Sequence, residues 1–298
     1  MDRKEFLKRS VAAAAGILLA EHSKIFRTIP ADAQVQQPTI YVSKDKSPSA
    51  MVSAVVAAMG GMGKFIKKGS KVTIKPNIAW NRTPEQAATT NPEVVSTLVK
   101  MCLDAGASSV VVTDLPCNPW QVTYVTSGIK EAVERAGGII KSPSKFRKVQ
   151  IPSGIVLKEA EILEDVLDAD VFINVPIVKV HGSQAKITIS MKNFMGIVKD
   201  RGYFHRTDLN QCIADICSYL KPALTVVDAT RILLTNGPQG PGSVKETKMV
   251  FAGTDFVALD AFGSTLLGVN PADVRHIQIA EKMGLGQSDL SKIKIRYV

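Results

Sequence analysis

The chain has 298 residues, 45% of them hydrophobic and 21% charged, with a formal net charge of +10. With mean hydropathy close to zero, this excludes a disordered chain and an integral membrane protein and fits an ordinary globular domain. Lys and Arg are scattered and aromatics make up only 6% of the chain, so the basic balance points to a small anionic partner and no nucleic acid is expected.

The segment Arg3-Lys4-Glu5-Phe6-Leu7-Lys8 is basic, and residues 11–20 form an apolar run. A membrane-spanning helix needs about 20 apolar residues, so the pattern predicts an export signal and no transmembrane span. It is similar to a twin-arginine signal, with Lys4 where the second arginine belongs. Ala31-Asp32-Ala33 offers a cleavage site, residues 18–20 an alternative one, and an uncleaved leader would serve as an anchor. The expectation is a leader over residues 1–33 that engages the export machinery, a periplasmic or extracellular protein, and one domain over 34–298. Six basic and four acidic residues fall within 1–33, so the remainder keeps a charge of +8.

Residues 51–65 show helical periodicity and close at Gly60, Gly61 and Gly63. Their likeness to a phosphate loop fails, because they end a helix and Phe65 replaces the required Ser or Thr. The β-rich Val72-Thr73-Ile74 runs into Lys75-Pro76-Asn77. Asn91, Pro92 and Glu93 read as an N-cap, a first helical residue and a dipole-matched acid. Val94, Val95, Leu98, Val99, Cys102 and Leu103 form the apolar stripe of that helix, and Gly106 stops it. Strand-like runs follow at 109–113, 171–175, 187–191, 225–227, 249–252 and 293–297, with helices near 127–137, 208–220, 256–268 and 272–282. Residues 138–160 are an insertion or an edge hairpin. Short apolar strands alternating with helices predict an α/β fold, a three-layer sandwich with a mostly parallel sheet.

In such sheets, ligands bind beyond the carboxyl ends of the strands. The runs are followed by Lys75 and Asn77, then Asp114, then Lys179 and His181, then Lys192 and Asn193, then Asp228, and finally Gly253-Thr254-Asp255. Each residue alone suits a solvated turn or a cap. Together they place three lysines and a histidine beside two aspartates, and crowded cations call for an anion. The candidate site therefore binds a carboxylate or phosphate with Lys75, Asn77, Lys179, Lys192 and Asn193. His181 is either the acid/base or a hydrogen-bonded structural histidine, with Asp114 or Asp228 as its partner. His205 and His276 are read as structural. Asp114, Asp228, His181 and Asp208 have the chemistry of divalent-metal ligands, but no spacing defines a ligand set, so the metal and any other cofactor stay open. The loop from Asn236 to Gly242 is a flap over the site or a connection.

The four cysteines, at 102, 117, 212 and 217, form no C-x-x-C pair. Cys102 and Cys217 fall on apolar stripes and read as core residues. Cys212 and Cys217 lie about 140° apart around one helix and cannot pair with each other, while a disulfide between distant positions stays open in an oxidising compartment.

These residues carry a family resemblance. Lys75-Pro76-Asn77, Thr89-Thr90-Asn91-Pro92-Glu93-Val94-Val95, Asn174-Val175-Pro176 with Lys179 and His181, Met191-Lys192-Asn193-Phe194-Met195-Gly196, Val227-Asp228-Ala229 and Gly253-Thr254-Asp255 resemble the domain of unknown function family numbered 362. The match spans roughly residues 70 to 270; Phe256 replaces a usual proline and Asn91 a common histidine. The family implies no agreed reaction. Some relatives are fused to ferredoxin-like modules and labelled iron–sulfur proteins, whose cluster cysteines have no counterpart here, so no iron–sulfur cluster is carried over. Three readings follow: an exported protein that binds and transforms a small anion, a non-catalytic accessory protein for redox partners, and an electron-transfer protein with a cluster on the four cysteines.

Overall fold

The computed structural model describes residues 37–298; the leader expected over residues 1–33 lies outside them. The domain begins with strand β1 (Thr39–Lys44) and helix α1 (Pro48–Ala58), followed by β2 (Lys71–Pro76), α2 (Pro92–Asp104) and β3 (Ser109–Val112). Next come α3 (Trp120–Thr126), α4 (Ile129–Arg135), β4 (Ile139–Ile140), the hairpin of β5 (Phe146–Gln150) and β6 (Glu159–Leu163), and α5 (Glu164–Leu167). The centre of the chain holds β7 (Val171–Val175), β8 (Ile177–Val180), β9 (Ile187–Thr188), α6 (Ser190–Asn193), α7 (Arg201–Arg206) and α8 (Leu209–Tyr219). It closes with β10 (Leu224–Leu233), β11 (Val244–Gly253), α9 (Phe256–Leu266), α10 (Arg275–Lys282) and β12 (Lys294–Tyr297).

The main sheet runs β12-β1-β11-β10-β7-β2-β3-β4, with β8 on β10 and β9 on β8. Most ladders are parallel, while β1–β11, β10–β11 and β8–β9 are antiparallel. Side chains alternate between faces along each strand, and the core divides accordingly. Val72, Ile74, Ile173, Val226 and Val250 pack with Val55, Leu98 and Val133 of α1, α2 and α4. Phe172, Val227 and Phe251 face the opposite way, toward Ile213, Leu259 and Ile277 of α8, α9 and α10. With helices on both faces, the strands are buried on both sides, and this is why they read as unbroken apolar runs. The protein is α/β, built on a mixed, mostly parallel sheet.

Helix starts follow their caps. Asn91 accepts from Glu93 N at 3.0 Å, and Asp208 and Asp255 cap α8 and α9 through their carboxylates. The stretch expected as a strand at 187–191 keeps only two strand residues. Asp260, at the centre of α9, accepts from Ser190 N at 2.6 Å and Met191 N at 3.1 Å, and these bonds start α6 and turn the chain out of the sheet. Residues 138–160 supply the edge strand β4 and most of the separate β5–β6 hairpin. The strands β10 and β11 run longer than their apolar cores suggest, so Asp228 stands mid-strand.

Candidate functional site

Because β2, β7 and β3 are parallel neighbours, their carboxyl ends open on the same edge. Lys75 and Asn174 are register partners on β2 and β7, next to the polar α6. Asn193 ties these elements together: its Oδ1 accepts from Lys75 Nζ at 2.6 Å and Asn77 Nδ2 at 3.0 Å, and its Nδ2 donates to Asn174 Oδ1 at 2.8 Å. Asn174 in turn donates to the Ser190 carbonyl and hydroxyl. A cavity of about 330 Å³ opens over this layer, lined by Lys75, Asn77, Asp114, Lys179, His181, Lys192 and Asn193 among others. Two other hollows, one beside the β5–β6 hairpin and one at the start of α1, are lined by no buried lysine.

The three lysines differ in how many acceptors they meet. An ammonium has three N–H donors. Lys75 meets three acceptors, hydrogen-bonding Asn193 Oδ1 at 2.6 Å and the Pro76 carbonyl at 2.8 Å and ion-pairing with Asp114 Oδ1 at 2.8 Å. Asp114 is itself fixed by Ile78 N at 2.6 Å, and Tyr124 hydrogen-bonds its backbone. This pair is buried and charge-balanced. Lys179 meets two acceptors, Asn77 Oδ1 at 3.0 Å and the Ala88 carbonyl at 2.6 Å, which leaves one position open. Lys192 meets no oxygen: its Nζ contacts only the Met195 sulfur at 3.2 Å, yet the residue is just 8% exposed. Burial pushes Lys75 below its ordinary value against the pull of Asp114; it brings Lys179 down to about 7 and Lys192 to about 8.

The β8–β9 hairpin supplies the opposite wall. Lys179 and Thr188 are cross-strand partners, and His181 follows Lys179 by two residues, which puts it on the same face. The Thr188 hydroxyl is buried with no hydrogen-bond partner. Ser183 N donates to His181 Nδ1 at 3.0 Å, so the neutral ring carries its proton on Nε2. Burial, reinforced by the charges of Lys192 and Lys179, holds His181 down at about 3. The imidazole is thus a neutral N–H donor near pH 7 and lacks the free nitrogen a general base needs.

The other residues singled out from sequence divide clearly. Asp228 does not line the cavity; its carboxylate accepts from Asn91 N at 2.7 Å and from Thr230 N and Oγ1, tying the start of α2 to the sheet. Asp208 is committed to its cap and to Arg275. His276 is buried between Asn210 and Asp260. His205, expected to be structural, lines the cavity, as do Arg201, Cys117 and Trp80. These four come from loops and from α7, where no strand-end pattern marks them. Pro238 also lines the cavity, and the Gly237 carbonyl accepts from Gly182 N at 3.0 Å, so the 236–242 loop forms part of its wall. The four thiols are free. Cys102 lies in the core on one face of the sheet and Cys212 and Cys217 on the other, so the four cannot surround one cluster.

The fold and site define an α/β protein with a buried cationic cavity at the carboxyl edge of its parallel strands. The chain belongs to the domain of unknown function family DUF362, whose model matches residues 72–265. It is 27% identical over 254 residues to a thylakoid-associated protein of Synechocystis sp., covering 79% of this chain and 75% of that one. The chain is also similar to two solved structures. One is a protein from Thermotoga maritima, at TM-score 0.43 and 11% identity, covering 74% of this chain and 59% of that one. The other is the lactate racemase apoprotein from Thermoanaerobacterium thermosaccharolyticum, at TM-score 0.43 and 13% identity, covering 72% and 54%. The chain thus spans a little over half the length of these two proteins. Among the described residues, no helix is long and apolar enough to cross a membrane.

Proposed function

We propose that the cavity binds a small molecule bearing a carboxylate or phosphate and that the protein acts on it there. The observation that carries this reading is the Lys192 ammonium, nine-tenths buried and without an oxygen acceptor. A buried charge left unpaired is strongly unfavourable, and an anion in the cavity supplies the missing partner. The open position on Lys179, the unpartnered Thr188 hydroxyl and the Nε2–H of His181 provide three further donors on one hairpin. Lys75 and Asp114 form the frame beneath this site, since they pair with each other and are anchored by Asn193, the Pro76 carbonyl and Ile78 N. Lys179, brought by burial to about 7, is the group suited to proton transfer near neutral pH, in place of His181. The proposal includes export of the protein through the leader expected over residues 1–33.

Titration with inorganic phosphate and with malonate, followed by thermal unfolding, tests the reading. Saturation to about 100 times Kd should stabilise the protein by about 2.7 kcal/mol. Lys192→Met and Thr188→Val should each weaken that response. An unchanged response in Lys192→Met, or none in the wild type, overturns the proposal.

A further inference from the structure

The anion site leaves one question of chemistry open: what an unprotonated amine does in such a cavity. Two of the three lysines are ruled out as nucleophiles by their surroundings. Lys75 Nζ donates to two oxygens and has an aspartate at 2.8 Å that favours its charged form. Lys179 Nζ is held in place by Asn77 and Ala88. Lys192 is the most exposed of the three, at 8%, and carries no oxygen contact on its nitrogen. Its backbone is rigidly placed by Asp260, which holds the first turn of α6 through Ser190 N and Met191 N. Facing it, the β8–β9 hairpin turns Lys179, His181 and Thr188 into the same cavity. That arrangement suits a ligand with an anionic group at one end and an electrophilic carbon at the other.

Building on the anion-site reading, we propose that Lys192 condenses with the carbonyl group of a small oxo acid whose carboxylate is held by the β8–β9 hairpin. The amine lone pair of Lys192 forms the new C–N bond, and the carbonyl π pair moves to oxygen, which takes up a proton. The carbinolamine then loses that oxygen as water, leaving a C=N bond to Nζ; both hydrogens of the water come from the amine nitrogen, so no oxidant, reductant or net proton enters the step. Lys179 in its amine form accepts the proton that Lys192 must first release. Burial favours both amines, with Lys192 brought down to about 8, so a useful fraction is free near neutral pH.

Borohydride reduction traps such an imine as a stable secondary amine. The full-length protein is incubated with glyoxylate, reduced, and its adduct located by intact mass and peptide mapping. The expected result is one reduced adduct per chain, on Lys192, suppressed by excess malonate. Lys192→Arg keeps the cation but not the nucleophilic amine. It should lose the adduct while still unfolding in a single cooperative transition without ligand, a result that a misfolded variant would not give. Absence of the adduct while malonate still stabilises the wild type overturns the imine and leaves the anion site standing. Absence of both overturns the two together, and labelling spread over surface lysines and indifferent to malonate also overturns the imine.

Discussion

Gly196 offers the sharpest test of the framework beneath the cavity. A Cβ built at this position would stand 2.1 Å from Asp114 Oδ1 and 2.8 Å from both Cε and Nζ of Lys75. Atoms of these kinds need at least about 3 Å, so Gly196→Ala requires the ion pair to move by about 1 Å. Neither partner has room to yield. Lys75 is anchored by three acceptors, and Asp114 is fixed at its side chain by Ile78 N and at its backbone by Tyr124. Separating a buried pair whose charges stay inside costs about 3–5 kcal/mol, a large share of the 5–15 kcal/mol typical of whole-protein stability. For a domain of this size that corresponds to a loss of roughly 6–20 °C in Tm. Gly63 is the control: a Cβ there meets nothing within 4 Å, and Gly63→Ala should be near neutral. Chemical and thermal denaturation of both variants would measure the difference. A Gly196→Ala variant within about 0.5 kcal/mol of the wild type would refute the claim that the pair is rigid and structurally necessary.

Affinity for malonate should fall as pH rises. Lys179 and Lys192 lose their protons near about 7 and about 8, and an amine no longer attracts an anion, so binding is strongest below the lower value and weakest above the higher one. Calorimetric titration across about pH 6 to pH 9 checks the sign; affinity that rises over that range would contradict it. Asp260→Ala removes the two bonds that start α6 and leaves Ser190 N and Met191 N without their acceptor. It should cost about 2–6 kcal/mol, from about 1–3 for each orphaned donor, and weaken the malonate response by displacing Lys192. Denaturation and thermal-shift measurements on the one variant read both effects.

Local signals carried much of this protein. Asn91, Pro92 and Glu93 start α2 where their capping chemistry says they should, because a cap depends on neighbours a few residues away. The two-sided apolar runs named the layered sheet, since strands covered by helices on both faces need no polar side. Strand-end polarity also found Lys75, Asn77, Asp114, Lys179, His181, Lys192 and Asn193, which do line one cavity. The same rule misplaced Asp228, because β10 extends past its apolar core to pair with β11 and the strand end lies elsewhere. Asn174 stood in the motif set without a role; its hydrogen bonds to Asn193 and Ser190 come from separate elements.

What the sequence determined by itself was therefore the set of cations and the edge of the sheet on which they gather. What it could not determine was their division of labour. Lys75, Lys179 and Lys192 are alike as letters and differ only in meeting three, two and no oxygen acceptors. Apart from the Pro76 carbonyl, those acceptors come from Asp114, Asn193, Asn77 and Ala88, brought together by packing across the sheet. The protonation of His181 depends likewise on its burial, the neighbouring lysines and the Ser183 contacts to Nδ1, and the need for glycine at 196 on an ion pair distant in the chain. Periodicity is a property of neighbours along the backbone; the state of a buried charge is a property of whatever the fold places around it.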